Sequence, residues 1–183
     1  MVEYKYNGPY DVSDIHAPAE LVDFGSIAFS PNPVVAVRAD IEEGTARIVA
    51  ISFDYKGSTL QVQAFASPKS ETIWPEVSKD LENSLVAQGR EVRRESGPVG
   101  VELITEIEVQ GKSRPIRMFG VDGNRWLLRG SISGETMNDI EVKSFLEDMF
   151  KGLVVRRGEI PLPPRELLPL NLPQGAIVPK GTV

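Results

Sequence analysis

The sequence predicts an α+β fold. Its antiparallel β-sheet has about six to seven strands with two main helices packed on one face, and an extended Pro-rich C-terminal tail follows. Three observations predict this fold. Apolar and polar residues alternate in several runs joined by short glycine-containing turns, which is typical of antiparallel strands. Two segments carry apolar residues at helical spacing. After residue 158, frequent prolines exclude both a regular helix and a central strand.

The first group of strands precedes the first helix. These strands are predicted over residues 34–41, 46–54 and 60–66. In the second of them, Val49, Ile51 and Phe53 form an apolar face with period two. The connecting loops are short, so the three strands are expected to be antiparallel neighbours.

The first helix is predicted from about Glu71 to Gln88, with Ser70 or Thr72 as its N-cap. Its apolar stripe consists of Ile73, Trp74, Val77, Leu81 and Leu85. Pro75 fits the first turn, where the backbone amides have no partner within the helix.

The second group of strands follows this helix. It is predicted over residues 91–95, 101–109, 116–120 and 126–132. The segment Val121-Asp122-Gly123-Asn124 is the strongest hairpin signal in the chain. A second helix is then predicted from about Asp139 to Lys151 with Asn138 at its start, and a short strand follows at about residues 153–155.

We expect three parts: a partly docked N-terminal arm (residues 1–33), a single α+β domain (residues 34–158) and an extended tail (residues 159–183). Five tail leucines are candidate partner-binding residues: Leu162, Leu167, Leu168, Leu170 and Leu172. Apolar residues at this density indicate contact with another surface. The sequence leaves open whether that surface belongs to this domain or to a protein partner.

Composition excludes several classes of site. Among 183 residues there are no cysteines and one histidine, which excludes disulfides, thiolate metal sites and paired-histidine metal sites. Lysine plus arginine number 20 and aspartate plus glutamate 26, and the resulting net charge of −6 disfavours broad nucleic-acid binding. The sequence has neither a leader segment nor a run of about 18 apolar residues, so we expect a cytoplasmic protein that does not enter membranes.

No catalytic residue, metal ligand or cofactor is predicted. His16 lies in the Pro-flanked arm and is interpreted as a solvated loop residue. An enzyme that uses carboxylates alone, with Mg²⁺, would draw on Asp40, Asp54 and Asp122, but no motif places them together. The balance therefore leans away from an enzyme without excluding one.

Arginines near the predicted hairpin form the candidate ligand site. Arg117, Arg125 and Arg129, with Trp126, could receive a carboxylate or a phosphate. In the alternative interpretation, these arginines and Arg114 pair across strands with acidic residues on a wet sheet face. The acidic residues concerned are Glu102, Glu106 and Glu108.

Several segments, taken together and in this order, resemble one protein family. They are GPYDVSD (residues 8–14), LQVQAFASPKSETIWPEV (60–77), GPVGVEL (97–103), RMFGVDGNRWLLRGSISG (117–134) and PLPPRELLPLNLP (161–173). The family is a group of actinobacterial proteins catalogued as a domain of unknown function. Two positions depart from the family's usual pattern, Asn124 where it has proline and Pro75 at the helix start.

The resemblance implies an actinobacterial cytoplasmic protein. Family genes often lie near genes for a dUTP-hydrolysing enzyme and a small OB-fold protein, which implies nucleotide or nucleic-acid housekeeping. The resemblance supplies no catalytic residue. The order of strands and helices is also similar to that of small domains of the photosystem-II oxygen-evolving-protein type, an analogy of fold that implies little about function.

Two functions therefore compete. The first is a non-catalytic protein-interaction or regulatory module with an unknown protein partner, and a homo-oligomer is compatible with it. The alternative is a small anionic-ligand (nucleotide-like) binding protein that uses Arg117, Arg125, Arg129 and Trp126.

Overall fold

The computed structural model describes residues 7–15 and 20–174. The strands in this part of the chain are β1 (Tyr10–Asp11), β2 (Val22–Asp23), β3 (Ile27–Phe29), β4 (Ala36–Ile41), β5 (Ile48–Tyr55), β6 (Ser58–Ala66), β7 (Val92–Gly97), β8 (Gly100–Val109), β9 (Lys112–Asp122), β10 (Trp126–Gly134) and β11 (Val154–Val155). The helices are α1 (Trp74–Ala87) and α2 (Ile140–Lys151), and a short 3₁₀ turn covers Val12–Asp14. The α+β class is confirmed.

The large sheet has seven strands in the order β4-β5-β6-β10-β9-β8-β7, and every neighbouring pair is antiparallel. The β9–β10 hairpin lies where the sequence predicts it, with Asp122 opposite Leu127. Arg125 in its turn has a positive φ of 64°, a conformation that turns accommodate. The predicted antiparallel sheet is thus confirmed at seven strands.

A second, small sheet has the order β1-β11-β3-β2, and β1 pairs with β11 in parallel. It brings part of the N-terminal arm into the molecule, because Phe24, Ile27 and Phe29 are buried in the main core. The divisions of the chain at residues 33 and 158 stay predictions.

The two helices lie on opposite faces of the large sheet, which corrects the expectation that both cover one face. Phe119 of β9 packs edge-on against Phe150 of α2, with ring centroids 4.8 Å apart. A Cβ atom added at the next residue, Gly120, would lie 2.5 Å from the Trp74 ring of α1. Successive strand residues point to opposite faces, so α2 and α1 cover different sides. An apolar stripe predicts that a helix is covered but not which face covers it.

Two hydrophobic clusters result. The main core lies on the α2 side, where it includes Phe53, Phe119 and Trp126. The smaller cluster lies on the α1 side and is made of Ile73, Trp74 and Leu127, with Phe65 and Val77 packed against it. Helix α1 is therefore held by a thin apolar layer.

Helix α1 begins at Trp74, and its cap does not come from Ser70 or Thr72. Instead, the Asp122 carboxylate at the end of β9 accepts hydrogen bonds from the backbone N–H groups of Ile73 (2.8 Å) and Trp74 (3.1 Å). Helix α2 is capped by the Asp139 side chain rather than by Asn138. Both helices were predicted in the right place, and both caps were assigned to the wrong residue.

The described part of the tail, up to residue 174, is bound to its own domain. Strand β5 pairs with β6 only as far as Val62. Beyond that residue, the tail forms hydrogen bonds with the edge of β6. Ala66 donates its backbone N–H to Glu166 O (2.8 Å), and Leu168 donates its own to Ala64 O (2.9 Å). The tail thus contributes an extra strand-like segment to the sheet.

Candidate functional site

The structure separates the four predicted site residues. Arg117 precedes Phe119 by two positions on β9 and so lies on the α2 side. Trp126 belongs to the main core on that side, and its Nε1 donates to Asp11 Oδ2 at 2.7 Å. Arg129 lies on the opposite face, two residues after Leu127 of the α1-side cluster. These residues therefore do not surround one ligand.

Arg117 is paired across strands with an acidic residue, as the alternative interpretation expects. Its Nη1 forms an ion pair with the buried carboxylate of Glu102 on β8. Both side chains are mostly enclosed, at 15% and 4% exposure, and this pairing occupies the cation. The attraction between the two charges offsets their desolvation, so the Arg117 charge is already compensated within the protein.

Arg125 is exposed in the hairpin turn, and its backbone carbonyl accepts a hydrogen bond from Ser67 N at 3.0 Å. The pKa of the Arg157 guanidinium is lowered chiefly by burial and, as a smaller cause, by the positive charge of Arg125. The Arg125 side chain is therefore not enclosed on either face of the sheet.

Arg129 lies in a groove between α1, the sheet and the tail, called here the α1 groove. It has a volume of about 300 Å³. It is lined by Phe65, Ile73, Val77, Asp80, Leu81, Leu127, Arg129 and Arg165. Five of these side chains are apolar, and Arg129 and Arg165 are its cations. The volume is at the lower end of the roughly 300–1,000 Å³ typical of small-molecule sites.

The Arg129 guanidinium has no carboxylate partner among the described residues. Its Nη2 donates to Gln63 Oε1, and its Cζ lies 5.2 Å from the centre of the Phe65 ring. Desolvation lowers the pKa of Arg129, because the surrounding groove shields the cation from water. A partly buried arginine that makes one hydrogen bond to a neutral amide retains N–H donors for an anion.

At the rim of the groove, Arg165 of the tail is ion-paired with α1. Its Nη1 lies 2.9 Å from Asp80 Oδ2 and its Nη2 lies 3.2 Å from Glu76 Oε1. The hydrogen bond to Asp80 is the main cause of a raised Arg165 pKa. Both carboxylates and the guanidinium are substantially exposed, so each pair contributes little stability. Their effect is on the local charge.

The groove exists because the apolar stripe of α1 is only partly buried. Trp74 and Ser78 are the buried residues of the helix, whereas Val77, Leu81 and Leu85 stay partly exposed. The helix contacts β9 and β7, so it lies over one side of the sheet. Val77 and Leu81 then line the groove together with Phe65 and Arg129.

Four larger recesses lined by described residues do not combine an apolar lining with a partly buried cation that has no carboxylate partner; Arg47, in an apolar recess along the tail, is exposed. A recess of about 430 Å³ holds two arginines that are already bonded, Arg90 to the Glu106 carbonyl and Arg93 to Glu95. Two wider recesses, of about 580 and 660 Å³, run along the tail.

The carboxylates considered for an enzyme have structural partners. Arg38 bridges two of them, with its Nε 2.5 Å from Asp54 Oδ2 and its Nη1 3.7 Å from Asp40 Oδ1. Asp122 is the α1 cap. In the described ranges 7–15 and 20–174, no three His, Asp or Glu residues are placed to hold a metal ion. His16 lies outside the described residues.

The tail leucines occupy different environments. Leu168 is 2% exposed and belongs to the main core, and Leu162 and Leu170 pack against that core. Leu167 forms an isolated bridge with Phe65. Leu172 is 41% exposed. Most of this apolar surface is therefore covered by the chain itself.

Sequence reasoning identified Arg129 but missed Phe65, Asp80 and Arg165 as its neighbours. A signal for Arg129 was available. It follows Leu127 on the same face of a strand, and a cation at an interior-facing strand position is unusual. Phe65 and Arg165 could not be found in this way, because the tail comes beside β6 only through long-range pairing.

Comparisons with known proteins give a family and a similar solved structure. The family described as "Protein of unknown function (DUF3710)" matches residues 8–177. No curated protein matches the chain. The solution structure of cyanobacterial PsbP (CyanoP) from Synechocystis sp. PCC 6803 is similar at 14% sequence identity and a TM-score of 0.42. That likeness covers 77% of this chain and 97% of that chain, and it is too distant to carry an argument about function.

No helix within the described residues is long and apolar enough to cross a membrane.

Proposed function

This chain belongs to the DUF3710 family, whose function is unknown, and we propose that it binds a small anionic ligand in the α1 groove through Arg129. The observation that carries the proposal is the Arg129 guanidinium, which is partly buried, faces an apolar groove and has no carboxylate partner among the described residues. Cations in such places are costly unless an anion compensates them. A bound carboxylate or phosphate oxygen would supply that compensation through charge-assisted hydrogen bonds.

The proposal narrows the site expected from the sequence to a single arginine. Arg117 is occupied by Glu102, Trp126 lies on the other face, and Arg125 is in an exposed turn. None of the groove residues forms a nucleophile–base pair, so the proposed activity is binding without catalysis.

Fewer observations support the protein-interaction function than support anion binding. Its main observation was a leucine-rich tail, and the described tail is bound along β6 with Leu168 in the core. Ile160 and Leu172 are the large apolar tail side chains up to residue 174 that stay well exposed, at 63% and 41%. Both line the recess of about 580 Å³ along the tail, and two exposed apolar side chains are an ordinary feature of a protein surface.

A thermal-shift screen of the full chain with small organic carboxylates, phosphates and sulfonates tests the proposal. Ligands that bind the native state raise the melting temperature with concentration. We expect at least one anion class to do so, and we expect Arg129→Gln to abolish the shift. Arg129→Lys keeps the charge but loses the planar fork, so its shift should be reduced.

Arg93→Gln is the matched control, because Arg93 is an exposed arginine already paired with Glu95. This variant should respond to anions as the unmodified protein does. The proposal is overturned if no anion shifts the melting temperature, or if the shift persists in a folded Arg129→Gln variant.

A further inference from the structure

We infer that the ligand of the α1 groove is a small monocarboxylate with an apolar body, rather than a phosphate or a nucleotide. This inference rests on the proposed function and adds the chemical class of the ligand. It depends on the charge balance of the groove, on its lining and on the shape of the arginine.

The charges around the groove favour a monoanion over a dianion. Arg165 is matched by two rim carboxylates, Glu76 and Asp80, at 3.2 and 2.9 Å. With Arg129 included, the two arginines and the two carboxylates sum to zero, so a bound monoanion leaves these groups with a net charge of −1 and a dianion leaves −2. Either anion would meet the Arg129 cation and also face the Asp80 carboxylate that lines the groove, but the repulsion from Asp80 is about twice as large for a phosphate dianion as for a monoanion.

The lining favours an apolar body. Besides Asp80 and the two arginines, every lining side chain is a hydrocarbon or an aromatic ring. Leu127 and Ile73 are buried at its base, while Phe65, Val77 and Leu81 are partly exposed and would gain burial from a ligand. Such burial contributes about 25 cal/mol per Å² of apolar surface. A sugar or a hydrated phosphate would bury less apolar surface against these side chains and would gain less from them.

The position of the guanidinium favours a planar acceptor. Arg129 lies over the Phe65 ring at 5.2 Å, and its Nη2 is held by Gln63. A guanidinium presents its N–H groups in one plane, and that geometry matches the two oxygens of a carboxylate. The volume of about 300 Å³ limits the body to a small ring or a short chain.

A titration of the full chain at low ionic strength, followed by ¹H–¹⁵N NMR, tests the inference with four probes. Phenylacetate carries both proposed features, acetate lacks the apolar body, 2-phenylethanol lacks the charge, and phenyl phosphate is a dianion above pH 7. We expect phenylacetate to perturb the amides of Phe65, Leu127 and Arg129. Each of the other probes should bind with a Kd about tenfold higher or more.

A charge variant tests the selectivity directly. Asp80→Asn removes one rim carboxylate and releases part of Arg165, so phenyl phosphate should gain about threefold in affinity relative to phenylacetate. Glu82→Gln is the matched control, since Glu82 is on the same helix but is paired with Arg94. It should leave the affinity ratio unchanged. An unchanged ratio in Asp80→Asn would overturn the assigned role of the rim charge and with it the inference.

The outcomes separate the inference from the proposed function. If phenyl phosphate binds at least as tightly as phenylacetate, and Arg129→Gln abolishes its binding, the monocarboxylate inference fails while the proposed function stands. If no anionic probe perturbs the groove amides, or if 2-phenylethanol binds as well as phenylacetate, both fail.

Discussion

The N-terminus of α1 is held by a single carboxylate from a distant strand. Asp122 is 49 residues away from Ile73 in sequence, yet it accepts hydrogen bonds from two backbone N–H groups that the helix leaves unpaired. Its negative charge also suits the positive end of the helix dipole. This residue therefore joins the β9–β10 hairpin to the helix that forms one wall of the α1 groove.

Removal of this cap should destabilise the protein measurably. We expect Asp122→Ala to lower the free energy of unfolding by about 1–2 kcal/mol, because two backbone donors lose their acceptor. Asp122→Asn keeps one acceptor oxygen and should cost less. Urea denaturation followed by circular dichroism measures both changes. Glu108→Ala, at an exposed position of β8, should stay within about 0.5 kcal/mol. Equal effects of Asp122→Ala and Glu108→Ala would contradict the capping role.

At the scale of elements, period-two alternation predicted most strands of the large sheet, and helical spacing predicted both helices. Strand β5, with Ile51 and Phe53 fully buried, is an example in which the local pattern alone was sufficient. The tail segment was not predictable as a strand. Its prolines interrupt any alternation, and its partner is β6, about a hundred residues earlier. Long-range pairing of this kind leaves no mark on the local sequence.

Two tail leucines allow a matched test of this docked segment. Leu168 is 2% exposed in the main core, whereas Leu172 is 41% exposed. We expect Leu168→Ala to lower the free energy of unfolding by about 2–5 kcal/mol, because it leaves a cavity beside β6. Leu172→Ala should change it by less than about 0.5 kcal/mol. Chemical denaturation of both variants checks this, and similar values for the two would show that the tail is not part of the folded core.

At the scale of the whole molecule, one sheet is shared by two apolar layers. Along β10, Leu127 faces α1, whereas Leu128 belongs to the main core on the side of α2. The sequence could not predict that the helices cover opposite faces of the sheet. The apolar stripe of a helix indicates that one side of the helix is covered, but not which face of the sheet covers it. The sequence also could not place Arg129 and Arg117 on different sides, since that requires the register of β9 against β10.

The two tryptophans report on the two layers separately. Trp74 lies in the α1 layer and donates its Nε1 to Val101 O at 3.1 Å, while Trp126 lies in the main core. Because both layers pack on the same strands, we expect them to unfold together as one cooperative unit. In Trp126→Phe, the fluorescence of Trp74 should therefore follow the same urea transition as far-UV circular dichroism. Trp74→Phe provides the reciprocal measurement for the main core. If Trp74 fluorescence changes at lower urea than the dichroism of the sheet, the α1 layer opens independently, and the groove would be a locally unstable surface rather than a preformed site.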